Sequence, residues 1–161
     1  MNEINQELAR ALSGLDASIK EQAYSDCGYH AEVRLARPET LRETARVLYR
    51  LEYFIGFVTA CHTEPCIQGL YQFARYDVNH RIMVRCDADE NKALPTISDI
   101  FQGADWHERE TRDFFGITFE GHPNLEPLLL DPSDRDLTPL LKSEKKLKSI
   151  DDIFVPEVTD E

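Results

Sequence analysis

No run of about 20 apolar residues, the length a membrane-spanning helix needs, occurs in the chain; its longest strongly apolar segment, 54–61, is far shorter. Basic charge is also scarce. Lysine and arginine number 18 against 30 aspartates and glutamates, for a formal net charge of -12. A phosphate backbone would be repelled over most of such a surface, which argues against a nucleic-acid partner. The opening MNEINQELAR carries acids and no apolar stretch, so no secretory signal is expected there. There is no close CxxC pair, phosphate loop, cofactor cradle or nucleophile elbow. The four cysteines, Cys27, Cys61, Cys66 and Cys86, fit reduced thiols in a cytosolic compartment. The expected location is the cytoplasm or the cytoplasmic face of a membrane, peripheral and held there only through a partner.

What remains is an ordinary globular composition, 42% hydrophobic and 30% charged over 161 residues, enough for one domain with its own core. Ile4, Leu8 and Leu12 space a short amphipathic helix broken by Gly14. Segments 17–24 and 28–35 read as strands joined by a turn at Asp26, Cys27 and Gly28. Pro38 opens a helix with Leu41, Ala45 and Leu48 on one face; Arg42, Arg46 and Arg50 lie opposite, as a solvated face or an anion track. Segment 53–59 has the nearly continuous apolar character of a central strand. Segments 67–76 and 81–86 form a hairpin, the latter with Ile82, Val84 and Cys86 inward and Arg81, Met83 and Arg85 toward water or a partner. Pro95 is expected to start a helical turn ended by Gly103. Helices on one face of a mostly antiparallel sheet make an α+β, two-layer domain over 1–130, followed by an extended C-terminal arm over 131–161.

The densest information lies from Asp105 onward. Asp105 is expected to cap a helix whose third position is Glu108, and Gly116 to end it. Trp106, Glu110, Asp113 and Phe114 fall on or near one face, and spacing predicts the pairs Glu108 with Arg112 and Arg109 with Asp113. After a short strand containing Ile117 and Phe119, Gly121-His122-Pro123 makes a turn. His122 is either a turn histidine bonded to backbone or carboxylate, or a ring used by a partner. Leu125, Leu128, Leu129 and Leu130 are too apolar for an open loop, so their own domain or another subunit covers them. Two catalytic alternatives are weighed. Glu110 and Asp113 could form a carboxylate pair with His107 or His122 as proton carrier, and Cys61, His62 and Cys66 could supply metal ligands. In the C-terminal arm, Lys142, Lys145, Lys146 and Lys148 suggest a solvated face or partner contact; Ile150, Ile153, Phe154 and Val155 suggest docking or a disordered end.

The order Trp106-His107-Glu108-Arg109-Glu110-Thr111-Arg112-Asp113-Phe114-Phe115-Gly116-Ile117-Thr118-Phe119-Glu120-Gly121-His122-Pro123-Asn124-Leu125 resembles the signature of the 30-kDa subunit family of respiratory complex I, the NADH-quinone oxidoreductase, with relatives in energy-converting hydrogenases. The resemblance implies a mixed sheet and a noncatalytic peripheral-arm assembly subunit of a membrane-associated redox complex, with no isolated activity. By the same resemblance this chain binds no cofactor; iron-sulfur clusters belong to its partners, a large hydrogenase-like or quinone-module subunit and an adjacent iron-sulfur small subunit. The residues expected to serve as partner interface or structural signature are Trp106, Glu108, Arg109, Glu110, Asp113, Phe114, Phe115, Gly121, His122 and Pro123. Glu126 and Pro127 stand where the family usually has arginines, which implies a different partner surface. The alternatives are a free-standing protein-binding module and a small metal-binding or acid–base enzyme.

Overall fold

Alternating apolar positions build the strands and one apolar stripe per helix closes the core over them. The computed structural model describes residues 3–63 and 65–142. In order the elements are α1 (Glu3–Ala11), β1 (Ala17–Glu21), α2 (Tyr24–Cys27), β2 (Ala31–Leu35), α3 (Thr40–Arg50), β3 (Tyr53–His62), β4 (Ile67–Arg75), β5 (Arg81–Asp87), β6 (Ala93–Pro95), α4 (Ala104–Phe115), β7 (Thr118–Glu120) and a 3-10 turn (Pro132–Asp134). Five strands form one sheet in the order β1-β2-β5-β4-β3, and β6 pairs with β7 in a small parallel ribbon. Only β2 and β5 are parallel in the large sheet; its other pairings are antiparallel. This is the expected α+β class with a mixed sheet.

Register explains the core. Ala31, Val33 and Leu35 stand opposite Ile82, Val84 and Cys86, while Phe73 and Tyr71 stand opposite Ile82 and Val84 on the other side of β5. All are buried, and Leu8, Leu12, Leu41, Ala45, Leu48, Phe101, Ala104 and Phe115 join them in one apolar cluster. Burial of each such side chain contributes roughly 1.5–3 kcal/mol before entropy is charged against it.

Four local expectations change. Segment 53–59 is not central: β3 lies at the edge of the sheet. Its apolar character is explained by α4, which packs on it, with the Thr111 hydroxyl donating to the Val58 carbonyl at 3.3 Å. Tyr24 leaves the strand for the single turn α2, which closes on Gly28 at φ 76. Pro95 ends β6 instead of starting a helical turn, because its neighbours pair with β7. Arg85 does not meet water. It is buried, with Nε 2.8 Å from Glu32 and Nη1 donating to Gln68 at 3.2 Å.

A polar knot fastens α1 to the sheet. Asn5 directs its amide hydrogens to Glu21 at 3.0 Å and to the His30 carbonyl at 3.5 Å, so its oxygen accepts from His80 Nε2 at 2.8 Å. His80 Nδ1 then accepts the Tyr53 hydroxyl at 2.8 Å, which fixes the tautomer. Burial, followed by the nearby His30 and Arg75, lowers the His80 pKa to about 4.

Candidate functional site

The charged helix α4 begins two residues earlier than its sequence suggests. Its first N–H groups are taken by the preceding turn, Ala104 donating to the Phe101 carbonyl at 2.8 Å and Asp105 to Gln102 at 3.2 Å. Gly103 precedes the helix and no side chain caps it, so Asp105 is a first-turn residue and the expected capping box does not form. At the other end Gly116 adopts φ 70 and donates to the Arg112 carbonyl at 2.8 Å. A Cβ there would be strained, and would also stand 2.8 Å from the Thr138 methyl.

Glu108 turns inward. It is fully buried, Oε1 accepts the Ile97 N–H at 2.9 Å, and Oε2 accepts the Thr96 hydroxyl at 2.5 Å. Thr96 in turn accepts the Ser98 N–H at 3.1 Å and meets the Ser98 hydroxyl at 2.8 Å. Glu108 therefore caps the turn after β6, and its expected pairing with Arg112 is absent. Burial pushes its carboxyl up to about 7, against the lowering effect of the Ile97 and Thr96 bonds and with a further rise from Asp105 and Asp99. Arg42 anchors the same turn from α3, donating to the Thr96 carbonyl at 2.6 Å and to both Asp99 oxygens at 2.9 and 2.6 Å.

Arg109 and Asp113 act on a different segment, 126–130. The expected bond between them is absent. Arg109 donates instead to the Glu126 carbonyl at 3.0 Å and the Pro127 carbonyl at 3.1 Å. Asp113 Oδ2 accepts the N–H groups of Leu128, Leu129 and Leu130 at 2.8, 2.8 and 3.1 Å, and Oδ1 accepts from Arg112 at 3.1 Å. Burial works against the Asp113 carboxylate, but the three leucine N–H bonds and Arg112 outweigh it and hold the pKa below the usual range. The two side chains are one helical turn apart, so they grip consecutive carbonyl and N–H groups of a single extended strap.

His122 also points inward. Its side chain is fully buried; Nδ1 accepts the Asn124 N–H at 3.1 Å, so the hydrogen lies on Nε2 and points to the Asp105 carbonyl at 3.3 Å. Carboxylate oxygens of Asp105 and Glu108 each lie 3.9 Å from Nε2. Of the two readings of this histidine, the structure has the turn residue bonded to backbone. Gly121 supplies φ 80 for the turn and Pro123 is exposed. Phe115 is buried and Phe114 half-buried, while Trp106 is 66% exposed. Glu110 takes no partner among the described residues and stands apart from the bonds Asp113 makes.

The cysteine cluster at the end of β3 disperses. Cys61 lies opposite Gln68, His62 Nδ1 accepts the Lys142 N–H at 3.1 Å, and burial followed by Asp87 pushes the Cys66 thiol up to about 11. Among the described residues no three His, Cys, Asp or Glu side chains are placed to hold a metal ion. Residues Lys145, Lys146, Lys148, Ile150, Ile153, Phe154 and Val155 lie outside the described residues.

The family described as respiratory-chain NADH dehydrogenase, 30 Kd subunit, matches residues 35–149, a span that includes all of α4 and its strap. The chain belongs to this family. Among other members, an NADH-quinone oxidoreductase subunit of Roseiflexus castenholzii is 31% identical over 141 residues, covering 81% of this chain and 80% of the relative. Among solved structures, the trypsin-resistant fragment (1–134) of Nqo5 superposes with a TM-score of 0.61 at 25% identity, covering 76% of this chain and 98% of the fragment. The 30 Kd subunit fold is also shared by a chain of the membrane-bound sulfane sulfur reductase, an archaeal respiratory membrane complex. That chain has a TM-score of 0.73 at 24% identity, with 86% of this chain and 83% of the other covered. Among the described residues of this 30 Kd subunit family member no helix is long and apolar enough to cross a membrane.

Residue-level reading of the sequence missed the acceptors and donors that occupy Glu108 and Asp113. Thr96, Ser98 and Ile97 lie ten or more positions before Glu108, and no local spacing links them to it. The leucine cluster 128–130 carried the only signal of the strap, as apolar residues that needed a cover.

Proposed function

We propose that this chain is a noncatalytic assembly subunit in the peripheral arm of a membrane-associated redox complex. Its family membership makes it a subunit of an NADH-quinone oxidoreductase-type complex; the noncatalytic role is the further step. One observation carries that step. The two buried signature carboxylates are already occupied: Glu108 by the Ile97 N–H and the Thr96 hydroxyl, and Asp113 by three backbone N–H groups and Arg112. A general acid or base must come within reach of a substrate, and both of these side chains are fully buried. Both instead fix loops to a helix, which is what a scaffold requires.

On this reading the partners are a large hydrogenase-like or quinone-module subunit and an adjacent iron-sulfur small subunit, and clusters and quinone belong to them. The chain contributes shape and contact, and reaches the membrane through those partners. Trp106, Glu108, Arg109, Glu110, Asp113, Phe114, Phe115, Gly121, His122 and Pro123 divide between framework and surface according to their burial. The test is Arg109→Glu, which loses two strap bonds at the edge of the domain. Recovery of copurifying subunits on a tagged chain from native membranes is expected to fall several-fold, roughly the effect of two charge-assisted hydrogen bonds. The melting temperature of the purified full chain should drop by only a few degrees. Equal proportional losses in the two measurements would reject the assembly role.

A further inference from the structure

The helices α1, α3 and α4 pack on one face of the five-stranded sheet, sending Leu8, Leu41, Ala45 and Phe115 into the core cluster with Val33, Val84 and Tyr71. Successive side chains of a strand point to opposite faces, so the residues between those core positions look the other way. Register aligns them across the sheet. Phe57, Gln72, Met83, Glu32 and Lys20 form one row, and Leu70, Arg85 and Arg34 lie in the next. Phe54 begins a third row that continues through Ala74 to Arg81, and Tyr24 of α2 reaches the margin of the face, its ring 5.8 Å from the Arg81 guanidinium carbon. Phe54, Phe57, Leu70 and Met83 are half-buried and stand outside the core cluster. Together they make one apolar strip over β3, β4 and β5.

The charge of this face runs against that of the chain. Lys20, Arg34 and Arg81 are exposed on it, and Arg85 is buried beside Glu32 and Gln68. Its acids are Glu32, 2.8 Å from Arg85, and Asp87, which accepts from Gln68 at 2.5 Å. Cations therefore outnumber acids here, in a chain of net charge -12. Residues 149–161 have the complementary character: Ile150, Ile153, Phe154, Val155 and Val158 alternate with Asp151, Asp152, Glu157, Asp160 and Glu161, without a lysine or arginine. The described residues end at Lys142, whose N–H bonds His62 at the end of the edge strand β3. From Lys142 the chain reaches Ile153 in 11 residues, at most about 36 Å when extended. Crossing a five-stranded sheet takes roughly 19 Å.

We propose that residues 149–161 seat on the open face of their own sheet, with Ile153 and Phe154 on the strip of Phe57, Leu70 and Met83 and the acids toward Lys20, Arg34 and Arg81. Burial of the apolar side chains drives the contact, and opposite charge sets where it forms. The acids are repelled by most of the remaining surface, which carries the negative charge of the chain. A weak match suffices, because the tether holds the segment at an effective concentration on the order of millimolar. The seat is a property of the chain on its own and does not depend on assembly; it takes an apolar face out of contact with other molecules.

The test uses the purified full chain and follows oxidation of Met83 by hydrogen peroxide, read by mass spectrometry. Ile153→Ser with Phe154→Ser should speed Met83 oxidation about threefold or more, since the thioether reacts when its cover is off. Amide exchange in β2 and β5 should stay at the native level, which separates uncovering from unfolding. Lys20→Glu with Arg34→Glu should speed the oxidation about twofold or more at low salt, with the difference shrinking as salt is added. A carbodiimide, which joins an amine to a carboxylate in contact with it, should link Lys20 to an acid of 151–161 in the native chain. Equal oxidation rates in the native chain and the Ile153 and Phe154 variant, or no such link, would overturn the seat. Met83 oxidation that slows as the protein is concentrated would assign the cover to a second copy and overturn it as well. So would a Met83 that is protected only in the complex purified from native membranes, an outcome that leaves the subunit reading intact and gives the face to a partner.

Discussion

The Asp113 carboxylate and the backbone N–H of Leu129 meet at 2.8 Å across 16 positions of sequence. Leu128 and Leu130 donate to the same oxygen. One buried side chain therefore does for an irregular segment what a neighbouring strand does for a sheet, and the exposed Leu129 side chain is displayed as a result.

Removing that acceptor should free the strap before it unfolds the domain. Asp113→Ala is expected to cost about 2–4 kcal/mol in urea denaturation, the range for deleting a buried, multiply bonded carboxylate. Amide exchange at 128–130 should accelerate far more than exchange in β5. Unchanged protection at those three amides would show that the strap is held by something else.

Glu108 predicts a pH dependence of definite sign. Its folded pKa of about 7 lies above the ordinary 4.5, so the folded chain keeps a proton that the unfolded chain has released. Stability from this group is complete below about 4.5 and is lost as pH rises through 7, a total on the order of 3 kcal/mol. Glu108→Gln keeps an oxygen for the Ile97 N–H and offers hydrogens to Thr96 and Ser98. At pH 8 it should melt above the native chain, and at pH 5 the advantage should shrink toward zero; a constant difference at both pH values would contradict the buried-proton account.

His80 titrates in the opposite sense. Its pKa is depressed to about 4 from 6.5, so the neutral ring stabilises the fold above 6.5 and that contribution is lost as pH falls through 4, again on the order of 3 kcal/mol. The two groups offset one another in the native chain. Placing His80→Asn on a Glu108→Gln background should therefore flatten the acid limb that Glu108→Gln alone exposes, and NMR titration of the native His80 ring should give a midpoint near 4. A midpoint near 6.5 would mean that the ring is not held between Tyr53 and Asn5.

Much of this was legible in the residues. Alternation at Ile82, Val84 and Cys86 places β5 because a strand turns every second side chain to the same face, and the long run from Trp106 to Leu125 identifies the family because so many residues recur at fixed spacing. Errors arose where the partner was distant. Asp105 looked like a cap because Glu108 follows at the right interval, yet the preceding turn already satisfies the helix N-terminus. Segment 53–59 looked central because apolar content reports cover, and a helix covers an edge as well as a strand does.

The sequence by itself determined the α+β class, most of the strand faces, the ends of the charged helix to within two residues, and the membership of the 30 Kd subunit family. These depend on local periodicity and on fixed spacing, both of which are written along the chain. Tertiary structure decided which way each charge on that helix faces. Glu108, Arg109 and Asp113 would pair along the helix if it stood alone in water. Once the Ile97 turn and the 126–130 strap are brought against it, buried backbone groups with no water to bond compete for the same side chains and take them.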